Sequence, residues 1–312
     1  MSGRRPILRL LCLIALSLAA VSTQGSAGWV KSVAEAQSQA ETSNRLILVD
    51  LYADWCHWCK RLESDVFSSE EFQHYGNKFV LLRVDTEDGA EGADLQEKFS
   101  AYNLPTILIV DHRLVEFGRV EGFLPTGQFI GVVEREIAEF RALEAGYERF
   151  ADTNDPGALA VLADEFHQRG DGKRASSLYR RLLKTETLDE DKANWTRLQL
   201  ADALRLDEQF DQAIQEVSDA RDRGRTTGNK DLIERLDLIQ AQISLDRGDC
   251  SAAMSELRRF LLTHPSSQLR PWAQRTLDDL ETDHPYAHEK TRDSQGHQTP
   301  APSPGQRCGR SV

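Results

Sequence analysis

A chain of 312 residues with a formal net charge of −12 is long enough for two modest domains, each burying its own core. Its acidity and its lack of any basic stripe argue against a nucleic-acid partner, because phosphate binding needs clustered Lys and Arg. Of the five cysteines only Cys56 and Cys59 lie close together, a pattern that fits an active centre better than a disulfide scaffold.

At the amino terminus, Arg4, Arg5 and Arg9 precede an apolar stretch from Leu10 to Val21, and Ser22, Thr23, Gly25, Ser26 and Ala27 then lead to Trp29. That order of basic, apolar and small residues is the layout of a secretory signal over 1–27, with cleavage expected near Ala27. The stretch is shorter than the roughly 20 apolar residues of a spanning helix, which leaves an uncleaved anchor as the alternative. Cleavage would remove Cys12. The rest of the chain has no membrane-spanning pattern and is expected to be soluble; the signal itself places it outside the cytoplasm, in a bacterial periplasm.

From Trp29 to Phe150 strand and helix patterns alternate. A helix is expected over Val30 to Ala40, and the apolar run from Leu46 to Tyr52 has the length of a buried strand. The cysteine pair follows, leading into a helix through Val66 and Phe67. Next come a strand at Phe79 to Val84, a helix at Ala93 to Tyr102, strands at Thr106 to Val110 and Leu114 to Val120, and an amphipathic helix from Thr126 towards Tyr147. Strands alternating with helices and closing on a hairpin predict an α/β sandwich with a mixed sheet over residues 28–150.

The run Ala151-Asp152-Thr153-Asn154-Asp155-Pro156-Gly157 is made of turn formers and marks a domain boundary. Beyond it the strand pattern stops, and residues 156–281 carry Leu, Ala, Arg, Asp and Glu at helical spacing. Ala163 and Ala175 are 12 apart, as are Ala201 and Ala213, and Ala241 and Ala253. Small residues at such offsets let paired helices approach, while Gly170-Asp171 and Gly248-Asp249 fall at matching turns. This pattern resembles tetratricopeptide (TPR) repeats, in three degenerate units where Leu159 and Arg197 stand in place of a large aromatic. A plain helical bundle is the alternative. From 283 to 312 the composition shifts to Pro, Ser, Gln, His and Gly, which predicts a disordered tail. His284, His288 and His297 in it are too spread for a metal site.

The chemistry centres on Trp55-Cys56-His57-Trp58-Cys59-Lys60. If a strand ends near Tyr52 and a helix starts at Cys56, the first sulfur meets unpaired N–H groups and the helix dipole, which favour a thiolate. Cys56 is then the exposed nucleophile, and Cys59, one turn on, is the resolving thiol. His57, when protonated, would lower the thiol pKa further, or else faces solvent with little effect. Trp58 lies beside it between the sulfurs, and Trp55 is expected to form a rim rather than a specific hydrogen bond. Zinc would need four ligands, and no second pair follows at finger spacing. Covalent haem would need His where Lys60 stands. A purely structural disulfide remains as an alternative. No cofactor beyond the cysteine pair is expected.

The run Tyr52-Ala53-Asp54-Trp55-Cys56-His57-Trp58-Cys59-Lys60, followed by Leu104-Pro105-Thr106 and Gly122-Phe123, resembles the thioredoxin superfamily. Within it, the run is most similar to the periplasmic C-terminal domain of DsbD-type thiol:disulfide interchange proteins. The resemblance implies a thioredoxin fold of four or five strands and a cis Pro105 facing the sulfurs, where a client strand pairs with the backbone. It also implies a buried acid at Asp50, relaying the proton that Cys59 loses, with a carboxylate hydrogen-bonded at the strand end as the alternative. His-Trp between the cysteines departs from the usual thioredoxin dipeptide, so the redox direction does not carry over.

Two classes of function follow. One is an exported thiol-disulfide oxidoreductase acting on client or redox-partner proteins, with a membrane electron donor as a candidate partner and the repeats holding the client. The other is an interaction adaptor whose thioredoxin domain is structural or redox-sensing. Cys250, beside the Gly248-Asp249 turn, reads as a packed small residue, and Cys308 in the tail carries no assignment.

Overall fold

The computed structural model describes residues 28–88, 90–150, 155–185 and 188–283. The proposed signal with Cys12, the tail with its three histidines and Cys308, and residues 151–154 of the boundary run lie outside the described residues.

Five strands, β1 (Trp29–Val30), β2 (Ile47–Tyr52), β3 (Val80–Asp85), β4 (Thr106–Val110) and β5 (Glu116–Glu121), form one sheet in the order β1-β3-β2-β4-β5. β1, β3 and β2 run parallel, while β4 and β5 are antiparallel additions, giving the mixed sheet of a thioredoxin fold. Strand alternation sorts the side chains of β2 between two cores. Ile47, Val49 and Leu51 pack with Ala36 and Ala40 of α1 (Val33–Ser43) and Leu95 of α4 (Glu91–Lys98). On the opposite face, Leu48 packs with Leu62 of α2 (His57–Leu62), with Val66 and Phe67 of the π-helical turn Glu63–Phe67, with Phe72 of α3 (Glu70–Gly76), and with Phe129 and Val133 of α5 (Thr126–Arg149).

Three of the boundaries that differ from expectation have a local cause. The first helix begins at Val33, because Trp29 and Val30 are taken up as a short edge strand. The helix expected at Ala93 to Tyr102 ends at Lys98, and Ser100 turns through φ 50. The stretch after the cysteines widens into the π-helical turn and then restarts as α3, capped by the Ser69 hydroxyl, which accepts from the Phe72 N–H.

The remaining helices are α6 (Pro156–Gln168), α7 (Gly172–Leu182), α8 (Glu190–Leu206), α9 (Phe210–Thr227), α10 (Lys230–Asp246), α11 (Cys250–Thr263) and α12 (Arg270–Asp283). They form three successive hairpins and a last helix, consistent with the repeats read from the sequence. Ala163, Ala175, Ala201, Ala213, Ala241 and Ala253 are all fully buried, as close helix approach demands. The carboxylates of Asp155, Asp171, Asp189 and Asp249 and the side-chain oxygen of Asn229 cap helix starts. Gly170 and Gly248 adopt φ 79 at the hairpin turns, but the middle hairpin makes the same left-handed step with Glu208 at φ 57, which hides it from a glycine-based reading. At the two positions lacking the family's aromatic, Leu159 is buried and Arg197 pairs with Glu216 of α9 at 3.2 Å.

Besides the cores that each part buries for itself, the two parts share one cluster. α5 outlasts the sheet it covers, and its second half delivers Phe140 to a cluster that joins Val115 of the sheet part to Leu159, Phe166 and Tyr179 of the helices. Phe140 stacks on Phe117 at 3.9 Å and meets Phe166 edge-on at 6.4 Å. Arg169 seals the seam: its carbonyl accepts from the Glu116 N–H at 2.7 Å and its guanidinium donates to the Phe117 carbonyl at 3.0 Å. At the far end of the helices the Trp272 indole donates to Glu97 of α4 at 3.3 Å. Phe140→Ala is expected to cost about 3–5 kcal/mol, a range typical of deleted buried aromatics. Urea unfolding should then split into two transitions, because the lost ring is the seam. A single transition with unchanged midpoint would show that the parts are held otherwise.

Candidate active site

β2 runs directly into the cysteine pair. The Cys56 N–H donates to the Ala53 carbonyl at 3.0 Å, turning the chain, and Cys56 becomes the N-cap of α2 at φ −72, ψ 102. Its Sγ accepts the Cys59 N–H at 3.1 Å and is bonded to the Cys59 Sγ at 2.05 Å. The cysteines are therefore in their disulfide form, with the first sulfur facing the N–H groups that would stabilise it as a thiolate on reduction. The sequence reading places an exposed sulfur at Cys56, whereas in this oxidised state both cysteines are only 3% exposed. Bonding draws each sulfur against the other, and Tyr52, Ala53 and Leu104 pack around them.

The surface beside the pair is aromatic. Trp58 is half exposed, stacks on Phe123 at 5.7 Å and receives the edge of the exposed His57 ring at 5.7 Å. The Arg61 guanidinium lies over both partners of that stack, 4.9 Å from Phe123 and 5.7 Å from Trp58. Trp55 departs from its expected role as a simple rim. It is 68% exposed, and its indole N–H donates to Glu87 at 2.6 Å. Glu87 follows β3, which parallel pairing brings alongside the end of β2, and this contact is not legible from spacing.

The Leu104–Pro105 peptide is cis, and Pro105 is buried at the start of β4. Its carbonyl accepts the Gly122 N–H at 2.9 Å. Gly122 holds φ 77 there, a conformation that favours glycine and explains the residue in the Gly122-Phe123 run.

Asp50 is buried on the β2 face that Leu48 shares with Leu62 of α2, so its carboxyl points to the side of the sheet covered by the helix that carries Cys59. Burial pushes its pKa up from 3.8 to about 7, against the pull of Arg83 and with a smaller push from Glu63. Oδ2 lies 3.2 Å from Nε of Arg83, and Oδ1 has no hydrogen-bond partner. Arg83 is absent from the sequence-read site. Its signal was available: a lone cation inside the apolar run from Phe79 to Val84 needs a partner, as Asp50 does in its own strand. Cys250 lies at the start of α11, part-buried, with its Sγ 3.7 Å from the Gly248 carbonyl, and is not among the residues packed at this centre.

A five-stranded mixed sheet that leads into a closed Cys-x-x-Cys pair beside a cis proline defines a thioredoxin-like domain of the thiol-disulfide oxidoreductase class. Comparison with known families agrees: residues 28–112 match the family described as thioredoxin-like. The chain is similar to the thiol:disulfide interchange protein DsbD of Actinobacillus pleuropneumoniae, at 38% identity over 105 residues, covering 32% of this chain and 18% of the relative. It is also similar to the protein of that name from Yersinia pestis, at 39% identity over 94 residues, covering 29% of this chain and 16% of the relative. The chain thus spans under a fifth of the length of these curated relatives. Among solved structures, the oxidised C-terminal domain of Neisseria meningitidis DsbD is similar at 18% identity with a TM-score of 0.31, over 35% of this chain and 99% of that one. No helix among the described residues is long and apolar enough to cross a membrane.

Proposed function

We propose that this protein is an exported thiol-disulfide oxidoreductase that reduces or exchanges disulfides in client or partner proteins. The observation that carries the reading is the Cys56–Cys59 bond at the start of a helix, with Leu104 of the cis Leu104–Pro105 peptide packed against it. In the reduced protein the Cys56 thiolate attacks one sulfur of a client disulfide, and the other client sulfur leaves as a thiolate. Cys59 then gives its proton to Asp50 and attacks the Cys56 Sγ, so the second client sulfur departs. The client gains two electrons, its thiolates take up protons from water, and Cys56 and Cys59 are left oxidised. A dithiol donor returns them to the reduced state. The backbone beside Pro105 pairs with the client strand, and the Trp58–Phe123 stack offers it an apolar surface. The helical hairpins hold the client or the redox partner.

Export rests on the basic, apolar and small-residue order of residues 4–27, and the periplasm is the compartment that fits the DsbD-like relatives. Insulin reduction with dithiothreitol as donor tests the activity. Wild type should accelerate precipitation of the reduced chains, and Cys56→Ser should fall to the rate of dithiothreitol alone. Equal rates for both proteins would return the chain to the adaptor class.

A further inference from the structure

Arg83 stands directly across from Asp50 in the β2–β3 register, and its guanidinium is divided between two carboxylates. Nη1 and Nη2 lie 2.8 and 3.0 Å from the two oxygens of Glu63, a bidentate grip from the π-helical turn that follows the cysteines. The group also lies over the Tyr52 ring, 4.4 Å from its centroid, which fixes its plane. Nε is left beside Asp50 at 3.2 Å, yet Nε and the Asp50 Oδ1 are both buried without a hydrogen-bond partner. The cation is therefore close to Asp50 but not aimed at it.

We propose that Arg83 is a positioning residue for the resolving step, held by Glu63 and Tyr52 off the hydrogen-bonding line of Asp50 so that this carboxylate stays free to take the Cys59 proton. The inference rests on the proposed role of Asp50 and adds what sets it. A carboxylate gripped by an arginine fork is locked in its charged form, and one buried with no cation nearby stays neutral; neither serves as a proton acceptor that must also release. Sharing the guanidinium puts Asp50 between these limits. Glu63 is the stronger claimant, because its own pKa is lowered chiefly by the hydrogen bond from Arg83. The charged groups that act on Asp50 are Arg83 and Glu63. Tyr52, on its own strand, is the next ionisable neighbour and is itself the group that Asp54 and Asp85 act on, whereas the β4 neighbour of Asp50, Ile107, is apolar.

The two residues should act with opposite sign. Glu63→Gln removes an anion and releases the fork towards Asp50, lowering the proton affinity of Asp50. Arg83→Met removes the cation and raises it. The readout is a stopped-flow reaction of the reduced protein with Ellman's reagent, in which release of the second chromophoric thiol follows attack by Cys59. The midpoint of that second phase on the pH axis should move down by about one unit in Glu63→Gln and up by about one unit in Arg83→Met, as expected for a charge within a few ångströms. In the double variant the Glu63→Gln effect should shrink to less than half, since its lever is gone. Should Arg83→Met fail to fold, Arg83→Gln gives the same upward shift. A purely structural role predicts no opposed pair of shifts, and shifts of one sign, or none, overturn the inference. Asp50→Asn separates the two levels: if it leaves the second phase unmoved, the proposed role of Asp50 fails. If it moves that phase while Arg83 and Glu63 variants do not, only the positioning role fails.

Discussion

With Cys59 replaced by serine, the protein should accumulate covalent adducts with its clients. The reason lies in the division of labour between the sulfurs. Cys56 caps the helix and accepts the Cys59 N–H, so it is the sulfur whose negative charge is stabilised and the one that attacks first. The mixed disulfide then waits for a second thiol. Cys59, one turn along the same helix, supplies it intramolecularly, and correctly placed groups act with effective molarities that reach about 10⁵ M or more. A serine hydroxyl occupies nearly the same volume but does not displace a thiolate, so release depends on free thiols at millimolar concentration and slows by several orders of magnitude. Non-reducing gels of an exported Cys59→Ser protein should show discrete higher-mass species that collapse with dithiothreitol. Cys56→Ser, and the double variant, should show none. Adducts formed through Cys59 in the Cys56→Ser protein would reverse the assigned roles.

What the sequence disclosed and what it concealed divide along a physical line. Periodicity and local chemistry were readable: the apolar run of β2, the cysteine pair at a helix start, and six alanines at helix contacts are each a property of a short window. The cis Pro105 came through resemblance alone, since nothing in composition selects that isomer. Contacts made by register were not readable. The sequence marks Asp50 and Arg83 each as a charge in an apolar strand, but that they meet each other, and that Trp55 meets Glu87, follows only from the parallel alignment of β2 and β3 set by packing on both faces. The shared core had the same cause. Phe140 reads as one more apolar position on an amphipathic helix, and only the length of α5 relative to the sheet turns it towards Phe166. The short α3 offers just Phe72 and Tyr75 to the interior, too few for a periodic signal, though the Ser69-Glu70-Glu71 cap was present.

Asp50→Asn should make the oxidised protein more stable above neutral pH, with a gain that vanishes in acid. The Asp50 carboxyl has its pKa raised from 3.8 to about 7 in the folded chain, mainly by burial. Below about pH 4 it is protonated in both folded and unfolded chains and costs nothing. As pH rises from there the unfolded chain ionises while the folded one resists, so stability falls until the folded group ionises too, at about pH 7. A shift of that size corresponds to about 4 kcal/mol at 1.36 kcal/mol per unit, an order-of-magnitude ceiling because the ion pair with Arg83 is lost with the charge. Asparagine is nearly isosteric and never ionises. Denaturant unfolding of the oxidised proteins at pH 4, 6 and 8 should therefore show the two curves converging at the lowest pH and separating at the highest, with the variant ahead. An Asn variant equal to or weaker than wild type at pH 8 would mean that Arg83 already neutralises the carboxylate. The proton that Cys59 sheds would then have to go elsewhere.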